Sequence, residues 1–586
     1  MIKTRMNKMK KLLIYLKDYK KESILAPLFK MLEATFELLI PLVVASIIDV
    51  GIGNGDRTYI IKMCLIMVIL GIVGLACSIT AQFYAAKAAV GFATKLRHAL
   101  FAHIQSLSFT EIDTIGTSTM ITRMTSDINQ VQSGVNLVLR LFLRSPFIVF
   151  GAMIMAFTVD VKAALVFAGA IPLLSIVVFG IMLISIPLYK KVQEALDKVL
   201  LLTRENLTGV RVIRAFGMEE TERERFATSN LLLLKVQKYV GKISALMNPI
   251  TYVIINGAVI ALIWIGGVRV YDGVITQGEV VALVSYMSQI LVELIKLANL
   301  IITVTKAIAC GNRIQAVFEI ETSLKEQESS EAVKTESPRV SFQKVGLTYS
   351  GNSEESLSDI DFEVQRGETV GVIGGTGSGK TSLVHLIPRF YDATRGKVLV
   401  DGRDVKDYPF KELRDKIAIV LQKSVLFSGT IRENLLWGRE DATEEELQEA
   451  LTISQAKEFV EKKEKGLETM ISQGGKNLSG GQRQRLAIAR ALVKKPEILI
   501  MDDSASALDF ATDAALRKAI REMKNPPTVF IVSQRAASVL QADKILVLED
   551  GRIAGMGTHE ELLSYCEVYR EIYYSQAERN DGKEGR

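Results

Sequence analysis

Long apolar stretches alternate with charged stretches through the first half of the chain. Six of the apolar stretches are long enough to cross a hydrocarbon layer of about 30 Å, which takes roughly 20 helical residues. The predicted spans are residues 22–47, 59–86, 134–158, 162–188, 245–270 and 278–304. An even number of spans returns the chain to the side on which it began. The pattern therefore predicts an α-helical, six-span transmembrane domain over residues 1–320.

The connections between these spans alternate in length. Those after the first, third and fifth spans are short, whereas "KLRHALFAHIQSLSF" and "LTRENLTGVRVIRAFGMEETERERF" after the second and fourth are long, basic and helical in pattern. The amino-terminal stretch "MIKTRMNKMKKLLIYLKDYKK" is basic too. Because cytoplasmic segments carry the excess of Lys and Arg, the amino terminus and both long connections are predicted in the cytoplasm. The first apolar run is too long for the core of a secretory signal.

Several charged residues lie within the predicted spans or at their ends. Lys30, Glu33 and Glu37 belong to the first span, and Arg140 and Arg144 to the start of the third. A charge at membrane depth is costly and usually faces a cavity or a partner, so these residues are candidates for a substrate path. The alternative is that the two arginines extend to the interface or lie below the bilayer.

The composition changes after residue 320. Residues 321–337 are polar and read as a linker, after which short β-branched runs alternate with amphipathic stretches, the pattern of an α/β domain over 338–586. The formal net charge of +6 is too small for this length to indicate a nucleic-acid partner, and the four cysteines are scattered without a CxxC pair. Neither a disulfide framework nor a cysteine metal site is indicated.

A phosphate-binding loop lies in "VGVIGGTGSGKTSL", directly after a predicted strand at 370–373. Glycines allow backbone N–H groups to turn inward around phosphates, and the following helix directs its positive dipole end at them. The lysine reaches the β and γ phosphates, and the threonine hydroxyl ligates Mg²⁺. The predicted nucleotide-binding residues are Gly374, Gly375, Thr376, Gly377, Ser378, Gly379, Lys380, Thr381 and Ser382.

Two further motifs follow the phosphate loop. "EILIMDD" carries a buried strand into Asp502, which is predicted to hold Mg²⁺ directly or through water. In "NLSGGQRQRLAIARAL", the residues Ser479, Gly480 and Gly481 open an amphipathic helix. A glycine-rich helix amino terminus is a second candidate anion site.

These motifs resemble the ATP-binding cassette exporters of the half-transporter type, in which six membrane helices are fused to one nucleotide-binding domain. The most specific mark is "LSGGQ", residues Leu478, Ser479, Gly480, Gly481 and Gln482. The resemblance implies that two cassettes enclose two ATP molecules, each between one chain's phosphate loop and the other chain's "LSGGQ". It also implies that the two long cytoplasmic connections are coupling elements.

Further positions match the family one by one. Tyr349 matches the aromatic residue that stacks on adenine, and Gln422 matches the glutamine that contacts Mg²⁺ and the membrane domain. Ser506 and Asp509 of "SALD" match the loop that crosses the dimer interface. The Mg²⁺ set implied is Thr381, Gln422 and Asp502.

Three positions depart from the family pattern. Asp503 stands where the family has the glutamate that polarises the attacking water, and Gln534 where it has a histidine that contacts the γ phosphate. Gln473 replaces an acidic residue before the signature, while the signature itself is intact. The pattern resembles the degenerate-site subunit of bacterial heterodimeric multidrug-type exporters. It implies a different half-transporter as partner, a small-molecule, lipid or drug cargo, and a bacterial plasma membrane with the cassette in the cytoplasm.

Three other interpretations stay open from the sequence. A homodimeric exporter would use Asp503 as a weak base. An ATP-gated regulator or channel would need a regulatory insertion, and the short linker contains none. An importer is less consistent, since family importers usually carry their cassettes on separate chains.

Overall fold

The computed structural model describes residue 9 and residues 11–326, 337–349, 354–504 and 508–584, with side chains described up to residue 576. Predicted site residue Ser506 and most of the predicted linker lie outside the described residues. The chain divides into two compact units. The first comprises Met1–Gln105 and Thr117–Ile320, and the second comprises Ser106–Gly116 and Glu321–Arg586.

The first unit is helical. In the part of the chain that the structure describes, six helical stretches are long and apolar enough to cross a membrane: Leu13–Ile52, Arg57–Ser106, Thr117–Val159, Val161–Thr208, Glu219–Tyr271 and Gln277–Phe318. Each contains one predicted span, so the number and order of the spans are confirmed. The helices extend well beyond the predicted apolar spans. They do so at the ends that the basic connections predict to be cytoplasmic. The helices in chain order are α1 (Lys20–Ser46), α2 (Arg57–Ser106), α3 (Phe109–Ile115), α4 (Thr117–Thr122), α5 (Ile128–Leu141), α6 (Arg144–Val159), α7 (Val161–Thr208), α8 (Val210–Ala215), α9 (Glu219–Ala245), α10 (Met247–Tyr271) and α11 (Gln277–Phe318).

The third span differs from the continuous helix expected at 134–158. It is interrupted between α5 and α6, where Phe142 and Leu143 form a turn. Pro146 lies in the first turn of α6 and has no N–H to donate to the carbonyl of Phe142, so an unbroken helix would lose a hydrogen bond there. Short π-helical turns at Ile47–Ile52 and Arg123–Asp127 and a 3-10 turn at Leu13–Tyr19 flank the spans.

The charges within the spans pair with one another. Arg144 donates to Glu293 and to Glu37 at 2.6 Å each, and Lys30 donates to Glu33 at 2.5 Å. The side chains of Arg144 and Glu293 are only 7% and 3% exposed. The structure thus connects the first, third and sixth spans by ion pairs, with Arg144 buried within the helical unit.

The second unit is built on three sheets. A six-stranded sheet has the order β12-β11-β3-β10-β9-β6, with only β12 antiparallel, beside a four-stranded antiparallel sheet of order β2-β1-β4-β5 and a small β7-β8 pair. The strands are β1 (Val340–Leu347), β2 (Leu357–Val364), β3 (Thr369–Gly374), β4 (Arg395–Val400), β5 (Arg403–Asp404), β6 (Ile417–Val420), β7 (Gly429–Thr430), β8 (Met470–Ile471), β9 (Ile498–Asp502), β10 (Thr528–Val532), β11 (Lys544–Glu549) and β12 (Arg552–Gly557). The predicted α/β domain is confirmed.

Successive residues of β9 face opposite layers of the core, as alternate residues of a strand must. Leu499 and Met501 pack against the helical layer, whereas Ile498 and Ile500 pack against the layer that includes the antiparallel sheet. The helices of this unit are α12 (Lys380–Leu386), α13 (Phe410–Lys416), α14 (Ile431–Leu436), α15 (Glu444–Ile453), α16 (Lys457–Glu461), α17 (Gly480–Val493), α18 (Phe510–Arg521), α19 (Ala536–Val539), α20 (His559–Tyr565) and α21 (Glu567–Glu584), with 3-10 turns at Val405–Asp407, Gly466–Glu468 and Gln473–Gly475.

Candidate nucleotide-binding site

The phosphate loop joins β3 to α12 at the carboxyl edge of the parallel sheet. All six residues of β3 are buried, and α12 begins at Lys380, as the strand-loop-helix pattern predicts. Gly377 and Gly379 have φ of 86° and 94°, a region that L side chains rarely adopt. A Cβ on Gly374 would collide with the carbonyl oxygen of Leu548. The glycines therefore permit the tight path of the backbone around the site.

Lys380 is held inside this loop. Its Nζ donates to the carbonyl oxygens of Gly374 at 3.0 Å and Gly375 at 2.6 Å. Burial lowers the pKa of its ammonium, against the opposing charges of Asp503 and Asp502. A buried ammonium whose partners here are neutral carbonyls gains from a nearby anion, which is what a nucleotide phosphate supplies.

Thr381 and Asp502 form the oxygen-donor set beneath the loop. Thr381 Oγ1 donates to Asp502 Oδ1 at 3.0 Å, and Asp502 is 2% exposed at the end of β9. Burial raises the pKa of Asp502, and the neighbouring Asp503 adds to the rise. A bound cation opposes that rise because it favours the ionised carboxylate. Hydroxyl, carboxylate and amide oxygens are the donors that Mg²⁺ prefers, and the Gln422 side chain lies on the same wall, so the residues present fit this ion.

Asp503 has an unusual backbone conformation. Its φ of 46° is in the left-handed region, which aspartate tolerates better than most side chains, and its N–H donates to the carbonyl of Val532 at 2.9 Å. Gln422 Nε2 donates to Asp503 Oδ2 at 3.1 Å. One carboxylate oxygen of Asp503 is therefore already engaged by an amide. Gln534 follows β10 and is exposed, and its carbonyl accepts a bond from Gln576 Nε2 at 2.8 Å.

A cavity of about 810 Å³ brings these residues together. Of the residues predicted from the sequence, its wall contains Thr376, Gly377, Gly379, Lys380, Thr381, Ser382, Gln422, Asp502, Asp503 and Gln534. The sequence reasoning missed part of the cavity lining, which the residues just before β2 and the turn after β11 supply through Glu354, Glu355, Ser356, Asp550 and Gly551. These residues are separated from the phosphate loop in sequence and carry no motif.

The signature residues lie at the amino terminus of α17. Ser479 is the N-cap of α17: its hydroxyl accepts from the N–H of Gln482 at 3.3 Å, and the side chain of Gln482 accepts from the N–H of Ser479 at 3.1 Å. Leu478 is buried in the core, while Ser479 and Gly480 are exposed. None of Leu478, Ser479, Gly480, Gly481 and Gln482 is among the described residues that line the cavity.

Two other predicted residues have local structural roles. Asp509 is the N-cap of α18, and its Oδ1 accepts from the N–H of Thr512 at 2.8 Å. Gln473 begins the 3-10 turn before the signature, in which Gly474 has a φ of 72°. Both lie outside the set of described residues that line the cavity.

The predicted adenine-stacking residue, Tyr349, lies next to α12 instead of in the cavity wall. Its hydroxyl donates to Ser382 Oγ at 2.9 Å, and its ring meets Tyr391 edge-on with centroids 5.0 Å apart. Burial raises the pKa of the Tyr349 hydroxyl, although the bond to Ser382 opposes the rise. The ring of Tyr349 is thus fixed close to the phosphate loop.

An aromatic cluster that the sequence reasoning did not identify connects this region to α3. Tyr391 donates to Asp113 Oδ2 at 2.8 Å, and the rings of Phe109 and Phe390 have centroids 4.6 Å apart. The ring of His385 lies 5.3 Å from that of Phe390, and its Nε2 is 3.9 Å from Asp502 Oδ2. Burial lowers the pKa of His385. The segment 106–116 therefore contacts Tyr391 and Phe390, and these two residues lead to Tyr349 and, through His385, to Asp502.

Comparison with known proteins gives matches over both units. The family described as the ABC transporter transmembrane region matches residues 23–294, and the family described as the ABC transporter matches residues 357–506. An uncharacterized ABC transporter ATP-binding protein of Mycobacterium tuberculosis is 36% identical over 570 residues, 96% of this chain and 97% of the relative. The ATP-dependent lipid A-core flippase of Desulfotalea psychrophila is 32% identical over 477 residues, 81% of this chain and 83% of the relative.

The fold also matches a solved structure of a bacterial Atm1-family ABC exporter with ATP bound. The TM-score is 0.77 at 24% identity, covering 95% of this chain and 98% of that chain. The six membrane helices followed by an α/β cassette are the type I exporter fold. From the two family matches and the full-length relatives, the chain belongs to the ABC transporter family, as a multi-span membrane protein fused to its own ATPase domain.

Proposed function

We propose that the chain is one half of a heterodimeric exporter whose own nucleotide site binds ATP with Mg²⁺ but hydrolyses it slowly. The partner is a different half-transporter with an efficient site, which the signature residues Ser479, Gly480 and Gln482 of this chain complete. The observation that carries the proposal is the side chain of Asp503 and its hydrogen bond. Asp503 stands at the position where the family has a glutamate as catalytic base, and its side chain is too short for that role. Its carboxylate also accepts a hydrogen bond from Gln422.

Binding of ATP is supported by the geometry of the phosphate loop. The buried Lys380, the oxygen donors of Thr381 and Asp502, and the Gln422 side chain all line one cavity. Thr381, Asp502 and Gln422 would hold Mg²⁺, which neutralises phosphate charge when bound. The cavity volume of about 810 Å³ is in the range of pockets for ligands of this size.

Slow hydrolysis is supported by two side chains. Aspartate is shorter than glutamate by one methylene, about 1.5 Å, and a misplacement of about 1 Å can cost on the order of a hundredfold in rate. The hydrogen bond from Gln422 also holds one oxygen of the Asp503 carboxylate. Gln534 can donate a hydrogen bond to a phosphate, but an amide has no accessible protonation change. ATP at this site then acts as a long-lived clamp between the two cassettes.

Donation of the signature to a partner is supported by its place in the cassette. The capped amino terminus of α17 is exposed and lies outside the set of residues that line the chain's own cavity. An exposed helix amino terminus with free N–H groups is suited to bind a phosphate brought by another molecule. The intact signature beside an altered base position is what a division of labour between two different chains requires.

Export from the bacterial cytoplasm across the plasma membrane is supported by the exporter fold and by the basic connections between spans. The flippase of D. psychrophila, a relative over most of its length, moves a lipid at the expense of ATP according to its name. We propose residues 1–320 as the transmembrane domain, 321–337 as the linker and 338–586 as the cassette. The cargo is an amphipathic small molecule, lipid or drug.

The double variant Asp503→Glu and Gln534→His tests the degenerate site. The assay uses purified chain in lipid at a concentration at which two copies pair, so that the intact signature of each copy completes the phosphate loop of the other; we expect the wild type to bind ATP with Mg²⁺ at a near-background hydrolysis rate. The double variant should hydrolyse roughly 10- to 100-fold faster, because a glutamate reaches the water that Asp503 does not. A matched triple variant that also carries Lys380→Ala should lose the gain. Hydrolysis by the wild type at the rate of the double variant would contradict the proposal and favour a homodimer that uses Asp503 as its base.

A further inference from the structure

A second cavity lies within the membrane unit, among α7, the junction of α9 and α10, and α11. Its volume is about 430 Å³, within the range of pockets that hold drug-sized ligands. None of its lining residues belongs to the ion-paired group of Lys30, Glu37, Arg144 and Glu293. It is therefore a separate feature of the spans.

One end of this cavity is apolar. Ile181 and Met182 of α7 and Ile295 and Ala298 of α11 form its wall there. Met182 and Ala298 also pack together with Val178 in a small buried cluster. This end suits the hydrocarbon or ring part of a ligand, since burial of apolar surface is the main source of affinity in such pockets.

The other end is polar. Tyr189 of α7 and Ser244 of α9 are joined by a hydroxyl contact of 3.3 Å, and Thr305 and Lys306 of α11 lie on the same part of the wall. In sequence these residues fall within two positions of the predicted ends of the fourth, fifth and sixth spans, at 188, 245 and 304. The polar end therefore lies at the level of the membrane interface, on the side predicted to be cytoplasmic.

The distance between the two ends is that of a small amphiphile. Eleven residues of one helix separate Ile295 from Lys306, which at a rise of about 1.5 Å per residue is about 16 Å. The fourth and sixth spans run in the same direction through the membrane, so α7 and α11 both proceed from the apolar end to the polar end. An apolar body and a polar head fit this cavity in one orientation.

The charge at the polar end is positive. Lys306 has no acidic side chain within ion-pair distance in the described part of the chain, whereas Lys296, on the same helix, donates to Glu293 at 2.8 Å. Asn299 also lines the cavity and is exposed, and its side-chain amide has no hydrogen-bond partner among the described residues. It lies two turns before Lys306 on the same face of α11. A cation without a partner near the interface attracts an anion.

We propose that this cavity binds an anionic amphiphile that has one apolar chain or one compact ring system. Its acidic head lies at Lys306 and its apolar part lies between α7 and α11. The inference rests on the proposed function, because it names the chemical class of the exported cargo. The volume of about 430 Å³ selects one apolar chain or compact ring system over the paired chains of a membrane phospholipid.

Two dyes with the same ring framework test the charge requirement. 1-Anilinonaphthalene-8-sulfonate is anionic and N-phenyl-1-naphthylamine is neutral, and both report binding by fluorescence. With the full chain in zwitterionic lipid nanodiscs without ATP, we expect saturable binding of both. Lys306→Gln should weaken the affinity of the sulfonate about tenfold and leave that of the neutral dye within about twofold, because only the sulfonate loses a charge-assisted hydrogen bond.

Matched variants keep the test independent of folding. Lys306→Arg should restore binding of the sulfonate, and Lys238→Gln, at an exposed lysine of α9, should leave both dyes unaffected. Asn299→Asp is a second variant, which places a carboxylate near Lys306 and should weaken only the sulfonate. Equal losses for both dyes, or no loss for either, would overturn the proposal. So would loss of sulfonate binding when anionic phospholipid is added to the disc, because the occupant would then be bilayer lipid.

Failure of this proposal and failure of the proposed function give different results. Dye binding is measured without ATP and does not depend on Asp503 or Gln534. The hydrolysis assay of the double variant does not depend on Lys306. If the dyes bind with the expected charge selectivity but the chain alone hydrolyses ATP rapidly, the proposed cargo class stands and the proposed degenerate site is wrong.

Discussion

The adjacent aspartates at the end of β9 have different surroundings, and the difference follows from strand geometry. Asp502 is the last strand residue, buried against Thr381, while Asp503 leaves the strand with a φ of 46° and extends toward Gln422. One carboxylate therefore bonds to the phosphate-loop threonine, and the other, at the proposed base position, bonds to Gln422. A single added methylene at position 503 is the smallest change that tests the second role.

At the same scale, the proposed function assigns Lys380 to the nucleotide of this chain and Ser479 to the nucleotide of the partner. Lys380→Ala removes a buried ammonium from the phosphate cradle, and we expect the affinity of the purified chain for a fluorescent ATP analogue to fall on the order of 10- to 100-fold. Ser479→Ala should leave that affinity within about twofold, because Ser479 is outside the lining of the chain's own cavity. A comparable loss of ATP affinity in both variants would contradict the assignment of the two motifs to different nucleotides.

The buried arginine of the third span gives a stability prediction. Arg144→Met removes the buried cation from Glu293, only 3% exposed, leaves it paired with the partly exposed Lys296, and should destabilise the membrane unit by about 3 kcal/mol, the lower end for a broken buried pair. The double variant Arg144→Met and Glu293→Gln removes both charges and should recover most of the loss. The measurement is the temperature at which half of the detergent-solubilised chain is lost from the monodisperse peak in size-exclusion chromatography. A single variant as stable as the wild type would show that the pair is not needed in the folded membrane unit.

At the scale of elements, the segment 106–116 contains the short helix α3 and belongs to the compact unit of the cassette. Its contacts within that unit are aromatic and polar: Phe109 on Phe390, and Asp113 on Tyr391. The capping box of Ser108 and Glu111 fixes the start of α3, and Ser108 Oγ also meets Ser323 Oγ at 2.9 Å. This connection after the second span is thus anchored on residues next to the aromatic cluster beside the phosphate loop.

The hydroxyl of Tyr391 gives a test of that anchor. Tyr391→Phe keeps the ring and removes the bond to Asp113, which should cost about 1 kcal/mol and raise amide hydrogen exchange in residues 106–116 about fivefold. The control is Tyr574→Phe, at a tyrosine that is 54% exposed on α21. Unchanged exchange in the segment, with the ring contacts intact, would mean that the hydrogen bond does not hold α3 in place.

An element could be predicted from the sequence where neighbouring residues in the chain determine its structure. The phosphate loop, the strand ending at Asp502 and the capped signature helix are each specified within about a dozen residues, and the structure contains all three. The break in the third span was missed because the apolar count outweighed Pro146. The contacts of His385, Tyr391 and Asp113 were not predictable, because they join residues distant in the chain and each residue type alone is common on surfaces.

At the scale of the whole molecule, the chain has a complete phosphate cradle, an altered base position and an exposed signature. Each property has a separate physical cause, and together they support the proposal that efficient hydrolysis needs a second, different chain. The membrane unit adds a cavity with an apolar end and a cationic end. The charge selectivity proposed for this cavity concerns the cargo and does not depend on the nucleotide chemistry.

The most direct test of the account is the ATPase activity of the purified chain in lipid, alone and mixed with the product of an adjacent half-transporter gene. The account predicts activity near background for the chain alone and a clear rise on mixing. Lys380→Ala in this chain should leave much of the mixed activity, whereas Ser479→Ala should remove most of it. Robust, cooperative hydrolysis by the chain alone would contradict the account, and would assign to Asp503 the role of an effective base in a homodimer.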